Sequence, residues 1–256
     1  MLEAIVAVTL FVSHGAIDDR VHQSTQDPSP RSAPRSDGGQ SAGNGKSVEE
    51  KQPDLTKYGF ERTTLETPLG KMAIFEAGKG EPLLLLHGVG AGASSFLWFE
   101  IGPKLAAKYR VIAPDFIGWG DSDRLERDVL FDDYVQQIRA LGEWVGEPAA
   151  VVAQSLTSGF ALAAMSDGGI AVTKLVLQSP SGGLDFGSDP IGKQATEFFT
   201  RISNSSQREQ VYASIFHQRP AVEDWFRQRG FLDPEAVPEE LIEVSFANAR
   251  KPKASY

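Results

Sequence analysis

The chain of 256 residues contains no cysteine, which excludes disulfide staples, thiolate metal sites and thiol nucleophiles together. Histidine is scarce as well. His14, His22, His87 and His217 are the whole supply, too few and too scattered to suggest a Cys/His metal cluster. Basic side chains number 25 against 34 acidic ones, and the formal charge of -9 disfavours nucleic acid or anionic lipid as a partner. No apolar run approaches the ~20 residues needed to span a bilayer, and no internal repeat is evident. What is present, 41% hydrophobic residues, is enough for a real core in one large domain or two small ones.

The first stretch reads separately from the rest. Leu2 to Val12 (LEAIVAVTLFV) is an apolar run of signal-peptide length, and Ser13-His14-Gly15-Ala16 follows with small residues. Glu3 stands where a secretion signal carries positive charge. Residues 1–16 are therefore expected to form a short helix packed on the domain or an extension without a role, in a cytoplasmic rather than a secreted chain. Residues 17–57 are rich in Ser, Pro, Gly, Gln and mixed charge, with almost nothing to bury, and read as a disordered linker.

Ordered structure is expected from residue 58. Phe60 to Glu66 and Lys71 to Glu76 flank Thr67-Pro68-Leu69-Gly70, a turn signal that predicts a hairpin. Pro82 to Leu86 and Arg110 to Pro114 are short apolar runs of the kind buried in parallel sheets. A helical apolar stretch with Phe96, Phe99 and Leu105 is expected to start at Ser94. Between Asp132 and Gly146, Tyr134, Ile138, Leu141 and Val145 form one stripe on a helix ended by glycine. The alternation predicts an α/β fold, a mostly parallel sheet flanked by helices.

The chemistry concentrates in Ala150 to Met165, AVVAQSLTSGFALAAM. A valine-rich strand, Ala149 to Val152, gives way to a helix, Leu156 to Met165, with no room for an ordinary loop. The junction lifts Ser155 onto a sharp strand-to-helix turn, where the residues two places away must be small for strand and helix to approach. Ala153 and Thr157 hold those places, where Gly-x-Ser-x-Gly is the usual pattern. A register centred on Ser158 would put Leu156 and Phe160 there instead. The plainer alternative is that Ser155 only caps the helix.

Two upstream segments bear on that choice. His87-Gly88-Val89-Gly90-Ala91-Gly92 closes the first apolar strand, and Asp115-Phe116-Ile117-Gly118-Trp119-Gly120-Asp121-Ser122-Asp123 closes the next. With His-Gly, Asp-x-x-Gly-x-Gly-x-Ser and the serine turn in that order, the chain from about Leu65 onward resembles the α/β-hydrolase superfamily. Arg124 behind Ser122 is similar to members with a helical cap, such as haloperoxidase-like and carbon–carbon-bond hydrolases. The resemblance implies that Ser155 is the nucleophile for a small ester or related acyl substrate. It implies an oxyanion hole made by the backbone N–H groups of Val89 and Leu156, a structural His87, and no cofactor or metal. A dehalogenase or epoxide hydrolase of the family would carry aspartate in place of Ser155.

In this superfamily an acid and then a histidine follow the serine, on loops after later strands. Here Lys174 to Gln178 reads as one more strand, and 184–256 as a helical cap region. Phe198, Phe199 and Ile202 recur at helical spacing there, as do Val211 and Ile215, while Pro220 and Pro238 sit at helix starts. Asp185 and His217 complete the order formally, but an amphipathic helix around QVYASIFHQRP accounts for His217 without catalysis. The expectation is a hydrolase fold that is C-terminally incomplete and lacks the triad acid and histidine. The Lys174 to Gln178 strand would then be a free sheet edge open to self-association.

Two other readings compete. Gly88-Val89-Gly90-Ala91-Gly92-Ala93 fits Gly-x-Gly-x-x-Ala, and Asp115 ends the next strand about twenty residues on, as an NAD-dependent oxidoreductase would require. That reading leaves the Ser155 turn unexplained. A non-catalytic binding module would keep the fold and a covered pocket, with Trp98, Trp119 and Phe186 as candidate lining.

Overall fold

The computed structural model describes residues 6–9, 53–90, 92–166, 168–180 and 207–255. All of them belong to one compact unit. The linker expected over 17–57 lies outside the described residues up to position 52.

Strand formation follows the apolar runs. The strands are β1 (Val6–Thr9), β2 (Glu61–Thr67), β3 (Gly70–Ala77), β4 (Pro82–Leu86), β5 (Arg110–Pro114), β6 (Ala149–Gln154) and β7 (Val172–Gln178). They form one sheet in the order β1-β7-β6-β4-β5-β3-β2. The pairs β2/β3 and β3/β5 are antiparallel and the others parallel. The expected hairpin is present, with Thr67 opposite Gly70. Gly70 has φ +133, a conformation open to glycine.

Both faces of the sheet are covered, because successive side chains of a strand point to opposite sides. Leu84 and Leu86 of β4 join Met72, Ile74, Ile112 and Val151 in one core, against α2 (Phe131–Val145) and α3 (Thr157–Ser166). Leu83 and Leu85 join Phe75, Val111 and Ala113 in a second core on the other face, with Phe96 and Trp98. The α2 stripe is buried as its periodicity predicts. Gly146 ends the helix at φ 73, and its N–H bonds the Gly142 carbonyl.

Four expectations are corrected, the last as a consequence of the third. The stretch after Ser94 is not one helix: a 3-10 turn spans Ser95–Trp98 and a short α1 spans Gly102–Leu105. Pro103 removes a helical donor, and a Cβ on Gly102 would stand 2.9 Å from the Phe60 ring. Leu55, counted with the linker, is fully buried in the second core. Finally, the N-terminal apolar run supplies a strand rather than a helix. β1 lies parallel to β7, with Val6 opposite Leu175 and Thr9 opposite Gln178. The edge expected to be free is therefore paired within the chain, since backbone donors and acceptors at a sheet edge take up a strand when one is available.

The C-terminal region holds α4 (Arg208–Phe216), α5 (Arg219–Trp225) and α6 (Glu239–Ala249), with Pro220 in the first turn of α5 and Pro238 preceding α6. The helix expected around Phe198, Phe199 and Ile202 lies outside the described residues. Leu241 and Val244 of α6 are built into the second core, so this helix covers the sheet.

Candidate active site

β6 ends at Gln154, α3 begins at Thr157, and Ser155 between them has φ 55. Left-handed backbone costs a non-glycine residue roughly 1–2 kcal/mol, and such residues persist where their surroundings over-determine them. Here the Ser155 N–H donates to the Gln178 carbonyl at the end of β7, 3.0 Å away, and the Ser155 carbonyl accepts from the Ser158 N–H at 3.0 Å. Thr157 is fully buried. Its hydroxyl donates to the His87 carbonyl at 2.8 Å, so the β-branched residue in the usual glycine place ties the turn to β4. Ser158 is also fully buried and donates to the Ala153 carbonyl at 3.1 Å, which removes it as a rival centre.

The His-Gly loop leaves β4 directly beside this turn, since β4 and β6 pair with Leu86 opposite Ala153. A Cβ added to Gly88 would stand 3.2 Å from the Ser155 Cβ and 3.0 Å from Gln154 Oε1. The Gly88 N–H donates to Gln154 Oε1 at 3.2 Å. His87 is fully buried. Its Nε2 accepts the Phe116 N–H at 3.1 Å, which leaves Nδ1 protonated and donating to the Gly88 carbonyl at 2.7 Å. Burial pushes the imidazole pKa below its ordinary value, against an opposing pull from the Asp115 carboxylate. Farther along, Gly92 at φ +72 lies so close to α6 that a Cβ would overlap the Ser245 carbonyl oxygen, 1.8 Å away.

The loop after β5 is a staple. Asp115 is buried and accepts the Ser95 N–H at 2.6 Å and the Asp121 N–H at 2.8 Å. The Ser122 hydroxyl accepts the Ala73 N–H at 2.8 Å and donates to the Asp115 carbonyl. At Gly120 any Cβ would fall 2.0 Å from the Asp115 carboxylate. Arg124 donates to the Gly120 carbonyl at 3.0 Å, and its burial lowers a guanidinium pKa that Asp115 helps to hold up. With Asp115 committed to backbone donors, and with a 3-10 turn where an α-helix would have to start, the dinucleotide reading loses both its ribose ligand and its helix terminus.

Ser155 and Leu156 follow the carboxyl end of β6, and Val89 lies in the loop that leaves the carboxyl end of the adjacent, parallel β4. His217 follows α4, and its ring packs edge-on against Tyr212 at 5.9 Å. Asp185 and Phe186 lie outside the described residues. Trp98 belongs to the second core. Trp119 packs half-buried against the first, its Nε1–H donating to the Tyr134 hydroxyl at 2.7 Å. Sequence reasoning missed Gln154, although a polar residue ending a buried strand beside the serine was a visible signal. Among the described residues no group of three or more His, Asp or Glu could hold a metal ion, and no helix is long and apolar enough to cross a membrane.

Comparison with known proteins bears on family and fold. Residues 83–255 match the model of a family described as the alpha/beta hydrolase family. A 2-hydroxymuconate semialdehyde hydrolase of Pseudomonas sp. (strain CF600) is 36% identical over 115 residues, 43% of this chain and 40% of that protein. The chain thus aligns with less than half of that relative. Among solved structures, an epoxide hydrolase superposes with a TM-score of 0.62 at 23% identity, covering 77% of this chain and 70% of the other. A serine hydrolase involved in carbazole degradation superposes at 0.58 and 20%, covering 76% and 66%. At such identities the superpositions speak for the fold.

Proposed function

This chain belongs to the alpha/beta hydrolase family, and from that premise we propose that it hydrolyses a small ester or related acyl substrate with Ser155 as nucleophile. The observation that carries the reading is the left-handed backbone of Ser155 between a parallel strand and a helix. A mere helix cap has no need of that strain. Ser155 Oγ would add to the carbonyl carbon as its proton passes to water, the oxyanion would be taken by the N–H groups of Val89 and Leu156, and its collapse would expel the alcohol before water releases the acid from the acyl-serine. Among the described residues neither N–H is bonded to a protein acceptor. The Leu156 N–H also stands at the N-terminus of α3, where aligned peptide dipoles favour negative charge. Removing one such donor costs about 10²–10³ in rate.

The serine also selects among family chemistries, because alkyl-enzyme formation requires a carboxylate nucleophile where this chain has Ser155. Turnover of p-nitrophenyl acetate, with Ser155→Ala as the control, tests the reading. The parent is expected to exceed the variant, and equal rates would overturn the catalytic assignment.

One observation favours a second reading, ligand binding without turnover. Of the two described histidines, His87 has both ring nitrogens engaged with backbone groups, so it does not serve as the base for Ser155. Thermal stabilisation by a short-chain ester that is not hydrolysed would support it.

A further inference from the structure

We propose that Gln154 is a positioning residue for the oxyanion hole, a role that rests on the assignment of Ser155 as nucleophile. The Gly88–Val89 peptide is the unit that must present its N–H to the oxyanion, and a trans peptide holds its C=O and N–H in opposite directions. Its carbonyl, Gly88 O, is held by His87 Nδ1–H at 2.7 Å. The preceding N–H, that of Gly88, is held by Gln154 Oε1 at 3.2 Å. Gly88 is thereby fixed on both sides, and the Val89 N–H is turned away from His87. The two clamps differ in origin. His87 belongs to the same loop as Gly88, whereas Gln154 is the residue directly before Ser155, so its amide fixes the loop to the nucleophile's own strand.

The residue type follows from the charge that develops there. The side chain at 154 must accept a hydrogen bond from Gly88 N–H, which both amide and carboxylate can do. A carboxylate would add a negative charge beside a developing oxyanion and oppose its formation. An apolar side chain would leave the Gly88 N–H without its acceptor, and Gly88 would be held on one side only, by His87. Glutamine is the long neutral acceptor that meets both demands.

The test is the rate at which a fluorophosphonate probe labels Ser155 in the full chain, compared among the parent, Gln154→Met and Gln154→Glu, with Ser155→Ala as blank. Gln154→Met is expected to label about tenfold more slowly, a fraction of what a deleted donor costs. Gln154→Glu keeps the acceptor and the volume. Its rate relative to the parent is expected to fall as pH rises through the carboxyl titration, about pH 4 to 7 for a partly buried group. At low pH, where the side chain of Gln154→Glu is neutral and still accepts from the Gly88 N–H, its rate is expected to return to the parent's while Gln154→Met stays slow, a rescue that packing alone would not produce. Labelling of the parent with an unchanged Gln154→Met rate would overturn the positioning role and leave Ser155 standing, whatever the Gln154→Glu ratio. A parent that labels no faster than Ser155→Ala would remove both. If Gln154→Met fails to fold, Gln154→Asn, whose shorter amide stops short of the Gly88 N–H, decides in its place by the same slower labelling.

Discussion

Ser155 shows the competition between stability and chemistry most directly. Its left-handed φ of 55 costs about 1–2 kcal/mol, while glycine adopts that region freely at an unfolded-state entropy cost of ~0.5–1 kcal/mol. Ser155→Gly should therefore be more stable than Ser155→Ala by about 1 kcal/mol in urea unfolding, with both variants inactive. His87 makes a prediction of opposite kind. Burial lowers its folded pKa, so the unfolded chain takes up a proton near pH 6.5 that the folded chain resists. Between the folded pKa and about 6.5 the unfolded state binds more protons, and stability rises with pH. This contribution is complete above about pH 6.5 and is lost as pH falls below it. Urea midpoints at pH 5.5 and 7.5 should differ less in His87→Gln than in the parent. Equal differences would show that His87 is not the group responsible.

At the scale of elements, the site depends on how β4, β6 and α3 are tied at one end of the sheet. Thr157 carries one tie, from the first turn of α3 to the carbonyl of His87. Thr157→Val preserves shape but leaves a buried carbonyl without its donor, which costs about 1–3 kcal/mol. Thr157→Ser keeps the hydroxyl and should stay closer to the parent, so the order of the two melting temperatures checks the bond. The β5 loop is held more tightly still. Alanine at 120 would need a Cβ 2.0 Å from the Asp115 carboxylate at a φ of +46, so Gly120→Ala should disrupt the loop rather than weaken it by a few tenths of a kcal/mol.

At the scale of the whole molecule, one sheet joins residues from both ends of the chain. β1 occupies the outer side of β7, while α6 contributes Leu241 and Val244 to the core beneath β3, β4 and β5. Removing residues 1–10 would expose the backbone donors and acceptors of β7, next to a half-exposed Val176. Unpaired edges of this kind recruit other chains. The shortened chain is expected to elute from a sizing column earlier than the intact chain, as a concentration-dependent oligomer. Identical elution per residue at all concentrations would show that β1 does not protect this edge.

The sequence by itself determined the strands β4, β5, β6 and β7, the helix α2, and the serine turn, because each rests on local rules: apolar runs, helical periodicity and a glycine stop. It also ordered the hydrolase motifs, since these are contiguous. Only the tertiary structure decided what depends on distant neighbours. The run at 6–9 is a strand because β7 offers an edge, and periodicity over so few residues cannot distinguish that from a helix. Thr157 is accommodated in a glycine place because the His87 carbonyl lies within 2.8 Å, a partner 70 residues away. Gln154 faces Gly88 only because β4 and β6 are neighbours in the sheet. Local chemistry fixed where a nucleophile could stand, and the pairing of strands remote in sequence fixed what surrounds it.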